Sequence, residues 1–397
     1  MKAEDLDSSW GYINYIEKIF RRDRDLARRI IDMIRSLSDR IRKDYGEDHR
    51  IKIMNFCGTH EWSIVRYGLR SLVPGNIELV AGPGCPVCVT PSYYIEKAIE
   101  LSLQGTRVYT YGDVFRLRTL RPVEKSYSLE EAKALGADVR VVSSFTDAII
   151  DASRQRRDSV FLAVGFETIA PGYSRLMISE KIPENLSILS LVKLTPPAMF
   201  YSLEILQEKP TEPPIAGVIA PGHVSTIIGA KAWTPVAENF EIPVVVAGFE
   251  PIDVLAAIAE ILRRYVRREY GVYIEYERAL SWHGDLGAQS AIYKTFKASD
   301  DAWRGIGFIP YSGLRIRREY KMYDALERHS IEDLKPEKWS YDLPKACRCA
   351  EVVLGKAKPI DCPLFMRACT PEKPYGPCMV SMEGACAIWA RYSFQSR

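Results

Sequence analysis

Eight short apolar runs recur between residues 51 and 249, and helical patterns fill the stretches between them: IKIMNF, IELVAG, RVYTYG, VRVVSS, VFLAVGF, LSILSLVK, IAGVIAPG and IPVVVAGF. Runs of this length, rich in Val and Ile and closed by small residues, read as buried strands. Strands that alternate with helices form parallel α/β units, with ligand sites at the carboxyl ends of the strands. The closing turns repeat in kind. FLAVGFETIAPG and VVVAGFEPIDVL share Gly-Phe-Glu after the strand, while LVAGPGCPVC and GVIAPGHVST share Pro-Gly. The expected fold class is α/β, with two lobes of parallel sheet flanked by helices around a cleft and a smaller Cys-rich domain.

A chain of 397 residues exceeds what one core usually supports. The expected division is an N-terminal helical region over 1–45, packing with the C-terminal domain, a first lobe over 46–145, a second over 146–315 and a Cys-rich domain over 316–397. Residues 10–44 carry Ala27, Ile30, Ile34, Leu37 and Ile41 on one helical stripe, and RRDRDLARR reads as a solvated face. Near 271–315 the pattern blurs, and beyond 340 Pro, Gly and Cys dominate.

With 54 basic and 51 acidic residues the net charge is +3, which gives no general attraction to nucleic acid or anionic lipid. The segments RRYVRREY and LRIRREY are basic only locally. No apolar run is long enough to span a membrane, and MKAEDLDSSW lacks the regions of a signal peptide, so a cytoplasmic protein is expected. No phosphate-loop signature supports nucleotide binding.

Cytosol keeps thiols reduced, so nine cysteines there point to metal ligation or redox work rather than a disulfide frame. They fall in two groups. Cys57, Cys85 and Cys88 lie early, none occurs between 89 and 346, and Cys347, Cys349, Cys362, Cys369, Cys378 and Cys386 crowd the end.

Cys57 follows the first strand in IKIMNFCGTHEWSIVRYGL and faces a helical pattern that Thr59 is expected to cap. The positive end of a helix favours thiolate over thiol, and thiolate is both nucleophile and metal ligand. Glu61 opposes that shift, and an inert buried thiol is the alternative. Cys85 and Cys88, in AGPGCPVCVTP, have the spacing of a redox pair. Half of a zinc site is their alternative.

The final segment holds six thiols, two more than a tetrahedral site needs, and four thiolates suit zinc or a four-iron cluster alike. A Cys-x-Cys start with two extra thiols is similar to the arrangement in ferredoxin:thioredoxin reductase, where a cluster lies beside a redox disulfide. That likeness favours iron–sulfur, because zinc has no accessible redox state.

CGTHE, GPGCPVCVTP, GFETIAPG, APGHVSTIIG, AGFEPIDVL, WRGIG, PYSGL and the terminal CRC, CPLF, CTPE and GPCMVSMEGAC together resemble the hydrogenase maturation family HypD, in family order from about residue 50 onward. The N-terminal helical region is longer than the family's, and YIEYERALSWHG matches it poorly. The resemblance implies an assembly factor for the Fe(CN)2CO unit of nickel–iron hydrogenase. It would work with the chaperone HypC and with HypE, which supplies cyanide, and would carry iron with cyanide and carbon monoxide ligands transiently. It further implies Cys57 as the iron ligand, soft thiolate suiting low-spin iron, with His60 and Glu61 beside it handling protons or orienting ligands. Cys347, Cys362, Cys369 and Cys386 would hold a 4Fe-4S cluster. Cys349 and Cys378 would form the neighbouring disulfide, and electrons would pass by way of Cys85 and Cys88 to the iron. For His60 and Glu61 the alternative is a satisfied helix-start pair.

Glu167, Thr168 and His223 follow strand ends and are candidates to line the cleft, against helix capping for Thr168 and a buried, hydrogen-bonded ring for His223. Trp303 and Arg304 are a candidate partner-binding edge, or else a core Trp beside a surface Arg. An iron–sulfur thiol–disulfide reductase acting on protein disulfides is the competing function, and an iron–sulfur nucleic-acid enzyme is disfavoured by charge. A plain reductase has no need of a lone thiolate beside Gly-Thr-His-Glu.

Overall fold

The computed structural model describes residues 23–208 and 213–393. Among these residues the strands are β1 (Ile51–Asn55), β2 (Ile77–Ala81), β3 (Arg107–Thr110), β4 (Val139–Val141), β5 (Ser159–Gly165), β6 (Leu186–Val192), β7 (Ile215–Pro221), β8 (Pro243–Ala247), β9 (Gly271–Ile274), β10 (Phe296–Trp303) and β11 (Gly307–Ile316). Every apolar run named above forms one of β1 to β8. The α/β class with parallel sheets flanked by helices is therefore as expected.

The described residues divide into two compact units, each assembled from separated stretches: 23–82 with 203–208 and 213–284, and 83–202 with 285–393. This differs from the contiguous lobes drawn from the sequence, since the first sheet takes strands from both ends of a long excursion.

The first unit holds a five-stranded sheet in the order β2-β1-β7-β8-β9, all neighbours parallel. β1 and β8 are buried at every position, as expected of parallel strands covered on both faces. Four of its helices matter here: α1 (Arg24–Tyr45), α2 (Gly58–Arg66), α3 (Gly222–Ile228) and α4 (Pro251–Arg267). Asp23 caps α1, its carboxylate accepting from the Leu26 N–H at 2.8 Å. The predicted stripe is the packed face. Ile34 and Ile41 join Leu255, Ile258 and Leu262 of α4 in one buried cluster, and Ala27, Ile30 and Leu37 lie against it. Burying each Ile is worth about 1.5–3 kcal/mol. α1 thus packs within the first unit. Its Arg24, Asp25, Arg28 and Arg29 are exposed, as a solvated face should be, and the part of the helical prediction over 10–22 lies outside the described residues.

The second unit holds the parallel sheet β4-β3-β5-β6, the antiparallel hairpin β10-β11 and the Cys-rich segment. The hairpin occupies the region where the sequence pattern blurred. Lys193, at the end of β6, is fully buried, and its ammonium lies 2.6 Å from Asp301 of β10. Arg315 of β11 reaches the same carboxylate at 3.1 Å. Charges in the middle of a strand erase the alternation a reader looks for, yet here they are paired, Asp333 giving Arg315 a second carboxylate at 2.8 Å. Removing one partner of such a buried pair typically costs about 3–5 kcal/mol. Two short helices of the Cys-rich segment, α5 (Cys349–Val353) and α6 (Ala385–Tyr392), close the chain.

Candidate functional site

The carboxyl ends of β1, β7 and β8 carry Cys57, His223 and Phe249, the position where parallel sheets bind ligands. Cys57 itself is the N-cap of α2, in extended conformation at φ −152° and ψ 135°. The helix therefore starts at Gly58, and Thr59 lies inside it rather than capping it. The Cys57 sulfur is partly exposed and not engaged in a disulfide. It stands at the helix end that favours negative charge.

His60 is one helical turn further on and fully buried. Its Nε2–H donates to the Gly248 carbonyl at 2.9 Å, with the Ala247 carbonyl at 3.3 Å. Two carbonyls can only accept, so Nε2 carries the proton and Nδ1 keeps its lone pair, which has no hydrogen-bond partner among the described residues. Burial pushes this imidazole down to about 4, against the raising effect of those carbonyls. The His60 ring stacks on Phe249 at 4.8 Å, and His223 stacks on the same ring at 3.9 Å. His223 is exposed, so the buried reading of it does not hold, and its only shift is downward from partial desolvation.

Glu61 is buried and committed. Arg70 donates to both its oxygens at 2.9 and 2.8 Å, and Asn55 Nδ2 donates to Oε2 at 3.0 Å. Behind the β8 turn, Glu275 accepts from the Gly248 N–H at 3.0 Å, and Asp253 pairs with Arg278. Burial and the adjacent Asp253 charge raise Glu275 well above the ordinary carboxylate range. A Cβ on Gly248 would fall 2.1 Å from the Asp253 carboxylate, so only glycine fits there. Phe249, Asp253, Glu275, Arg70 and Asn55 escaped the sequence reading. GFEPID alone showed that the turn mattered, and nothing in it showed which ring His60 meets.

In the second unit Cys85 and Cys88 form a disulfide with Cα atoms 5.4 Å apart, as a redox pair requires. Glu167 is buried, and both the Thr195 N–H, at 2.6 Å, and the Thr195 hydroxyl donate to it. Burial still pushes it up to about 7. Thr168 beside it is exposed. Trp303 and Arg304 are both buried, at 0% and 2% exposure, so they form no surface edge.

The six C-terminal thiols are buried and reduced. The sulfurs of Cys349, Cys378 and Cys386 lie within 4.8 Å of one another. Hydrogen bonds from Cys349 and Cys386 pull Cys378 down to about 6, while the same contacts push Cys386 far up. The Tyr375 and Gly376 N–H groups point at the Cys369 sulfur at 3.3 and 3.4 Å. A Cβ on Gly376 would stand 2.7 Å from the Cys347 sulfur and 2.8 Å from that of Cys349, so this backbone is shaped to approach sulfur. Ala346 and Met366 hold left-handed backbone, at φ 65° and 52°, in the loops leading to Cys347 and Cys369. Such strain, roughly 1–2 kcal/mol per residue, persists where surroundings impose it. Buried thiols, amide donors aimed at sulfur and a glycine cradle fit a thiolate-bound metal group. The close trio joins members of both expected sets, Cys349 and Cys378 from one and Cys386 from the other.

The family described as hydrogenase formation hypA family, HypD, matches residues 32–393. A hydrogenase expression/formation protein of Methanocaldococcus jannaschii is 40% identical over 93% of this chain and 98% of its own. Hydrogenase maturation factor HypD2 of Bradyrhizobium diazoefficiens is 41% identical over 94% and 95%, and HypD of Cupriavidus necator 39% over 96% and 97%. These relatives are factors for hydrogenase formation. The chain belongs to the HypD family of hydrogenase maturation factors. Among the described residues, no helix is long and apolar enough to cross a membrane.

Proposed function

We propose that this protein is the scaffold on which, together with HypC, the Fe(CN)2CO unit of a nickel–iron hydrogenase is assembled in the cytoplasm, HypE supplying cyanide. The observation that carries the reading is Cys57: a partly exposed thiol at the start of α2, on the ligand-binding edge of a parallel sheet, backed by a buried His60 with an unshared lone pair. A soft thiolate there suits low-spin iron as cargo, shared with a sulfur from HypC. His60 and Glu61 orient what binds, His60 as a neutral ring in one tautomer and Glu61 by bracing α2 through Arg70 and Asn55.

In this proposal Cys347, Cys362, Cys369 and Cys386 hold a 4Fe-4S cluster, and Cys349 and Cys378 form an exchangeable pair beside it. Four thiolates on four separate irons stand further apart than four on a single ion, and of the four named here Cys386 alone belongs to the close trio. When bound, such a cluster supplies single electrons. Cys85 and Cys88 cycle between disulfide and dithiol, taking up two electrons and two protons on opening.

Infrared spectra of the anaerobically purified protein, with and without HypC, test the proposal. Bands of iron-bound cyanide and carbonyl should appear on the complex. Their absence from a complex with intact cluster would leave the thiol–disulfide reductase reading, which the Cys85–Cys88 disulfide favours.

A further inference from the structure

Arg304 occupies the tight turn between β10 and β11, and its burial needs a reason beyond packing. Its own N–H donates to the Val89 carbonyl at 2.8 Å, one residue past Cys88. Its Nε–H donates to the Asp342 carbonyl at 3.0 Å and Nη2–H to the Arg118 carbonyl at 2.8 Å. Nη1 is buried without a hydrogen-bond partner among the described residues. The next residue, Gly305, has φ +71°, and a Cβ there would lie 3.1 Å from that of Ala350, the residue following Cys349. The turn is therefore wedged between the Cys85–Cys88 loop and the start of the Cys-rich segment.

A guanidinium does not shed its proton in a protein, so this site carries a permanent positive charge out of water. Such a charge costs several kcal/mol unless something negative offsets it. The Asp342 carboxylate offers part, but both its oxygens already accept backbone N–H groups, from Gly305 at 2.9 Å and Ser92 at 2.8 Å. The other groups near enough to offset it are Glu96 and the sulfurs of Cys349 and Cys347, which become negative as thiolates on a metal group.

We propose that Arg304 is the fixed counter-cation of the C-terminal sulfur centre, a positioning residue that sets how readily the centre accepts an electron. This rests on the iron–sulfur reading above. Each reduction adds one electron, from a one-electron donor such as dithionite, and breaks no bond; Arg304 stabilises the added charge without moving. Asp342 works against it, so the two residues tune the centre in opposite directions.

An electrochemical titration of the full-length protein, followed by electron paramagnetic resonance, tests this. Iron and sulfide content and melting temperature are measured on the same samples. Arg304→Gln should disfavour reduction at least tenfold, a shift of about 59 mV to more negative potential for a one-electron couple. Arg304→Lys keeps the charge and should stay near wild type, and Asp342→Asn should shift the other way. An unmoved potential in Arg304→Gln with normal iron, or a Lys variant that shifts as far as Gln, overturns the proposal. If Arg304→Gln fails to fold, Asp342→Asn decides: a shift to less negative potential supports the assignment and no shift overturns it. Wild-type protein lacking iron and sulfide would overturn the iron–sulfur reading as well, whereas an unmoved potential overturns this inference alone.

Discussion

His60 donates its Nε2–H to the carbonyl of Gly248 at 2.9 Å, a bond that fixes the tautomer of the ring while burial keeps it neutral. Burial holds the imidazole near 4, below the value of about 6.5 expected in the unfolded chain. The unfolded state therefore binds the extra proton between those values, and stability from this group falls as pH drops from about 6.5 to about 4. The full effect is of order 3 kcal/mol. Urea unfolding at about pH 7 and about pH 5 should show the loss in wild type and a smaller one in His60→Gln. Equal losses in both would remove His60 as the cause.

Glu167 has the opposite sign. Its folded value of about 7 exceeds the ordinary carboxylate value of about 4.5, so the stability it contributes is present below about 4.5 and is lost as pH rises through 7. Glu167→Gln keeps an acceptor for the Thr195 N–H and has no charge to bury. The variant should match wild type at about pH 5 and exceed it by a few kcal/mol at about pH 8. Chemical denaturation at the two pH values checks this, and a variant less stable at both would show that the carboxylate is needed as such.

How much of this was legible beforehand follows from where side chains point. Apart from the edge strand β4, where Arg140 and Val141 are exposed, β1 to β8 are largely buried, so they read as apolar runs and could be placed by eye. β10 and β11 could not, because Asp301 and Arg315 look like surface residues until Lys193 of another strand is found beside them. Arg304 misled for the same reason: a lone Arg in a turn is ordinarily solvated, and its carbonyl partners lie 38 and 186 positions away. Cys57 was placed at a strand end correctly, but the helix starts one residue before Thr59 because Gly58 adopts helical conformation. The two-part origin of each unit depends on which strands pair, and periodicity carries no information on that.

Cys57→Ala and Cys57→Ser should abolish the infrared bands of the HypC complex while leaving C-terminal iron and HypC binding unchanged. An inert core thiol would instead lower stability modestly, with maturation tracking the folded fraction. Full-intensity bands from Cys57→Ala bound to HypC would refute the ligand role.

Replacing Cys85 or Cys88 by Ala should block maturation and spare the fold, since a bridge three residues apart closes too small a loop to restrict the unfolded chain much. Maturation by the double variant at the wild-type rate would make the bridge dispensable.

Metal analysis of anaerobically prepared protein should give about four irons with matching sulfide. Stoichiometric zinc and no iron, even after reconstitution, would assign the six buried thiols to a different centre.

β1 lies between β2 and β7, and β7 begins at Ile215, over 150 residues after β1 ends. During synthesis the strand that carries Cys57 therefore waits with one edge bare until the chain has built most of the second unit. Loop closure of that length is slow, and a bare apolar edge invites wrong pairing in the meantime. A nascent chain halted before β7 has the thiol but not the sheet edge that presents it, and it offers neither Gly248 nor Phe249 to hold His60. The surroundings of Cys57 thus take shape late in translation and all at once, when the returning strands lock β1 into place.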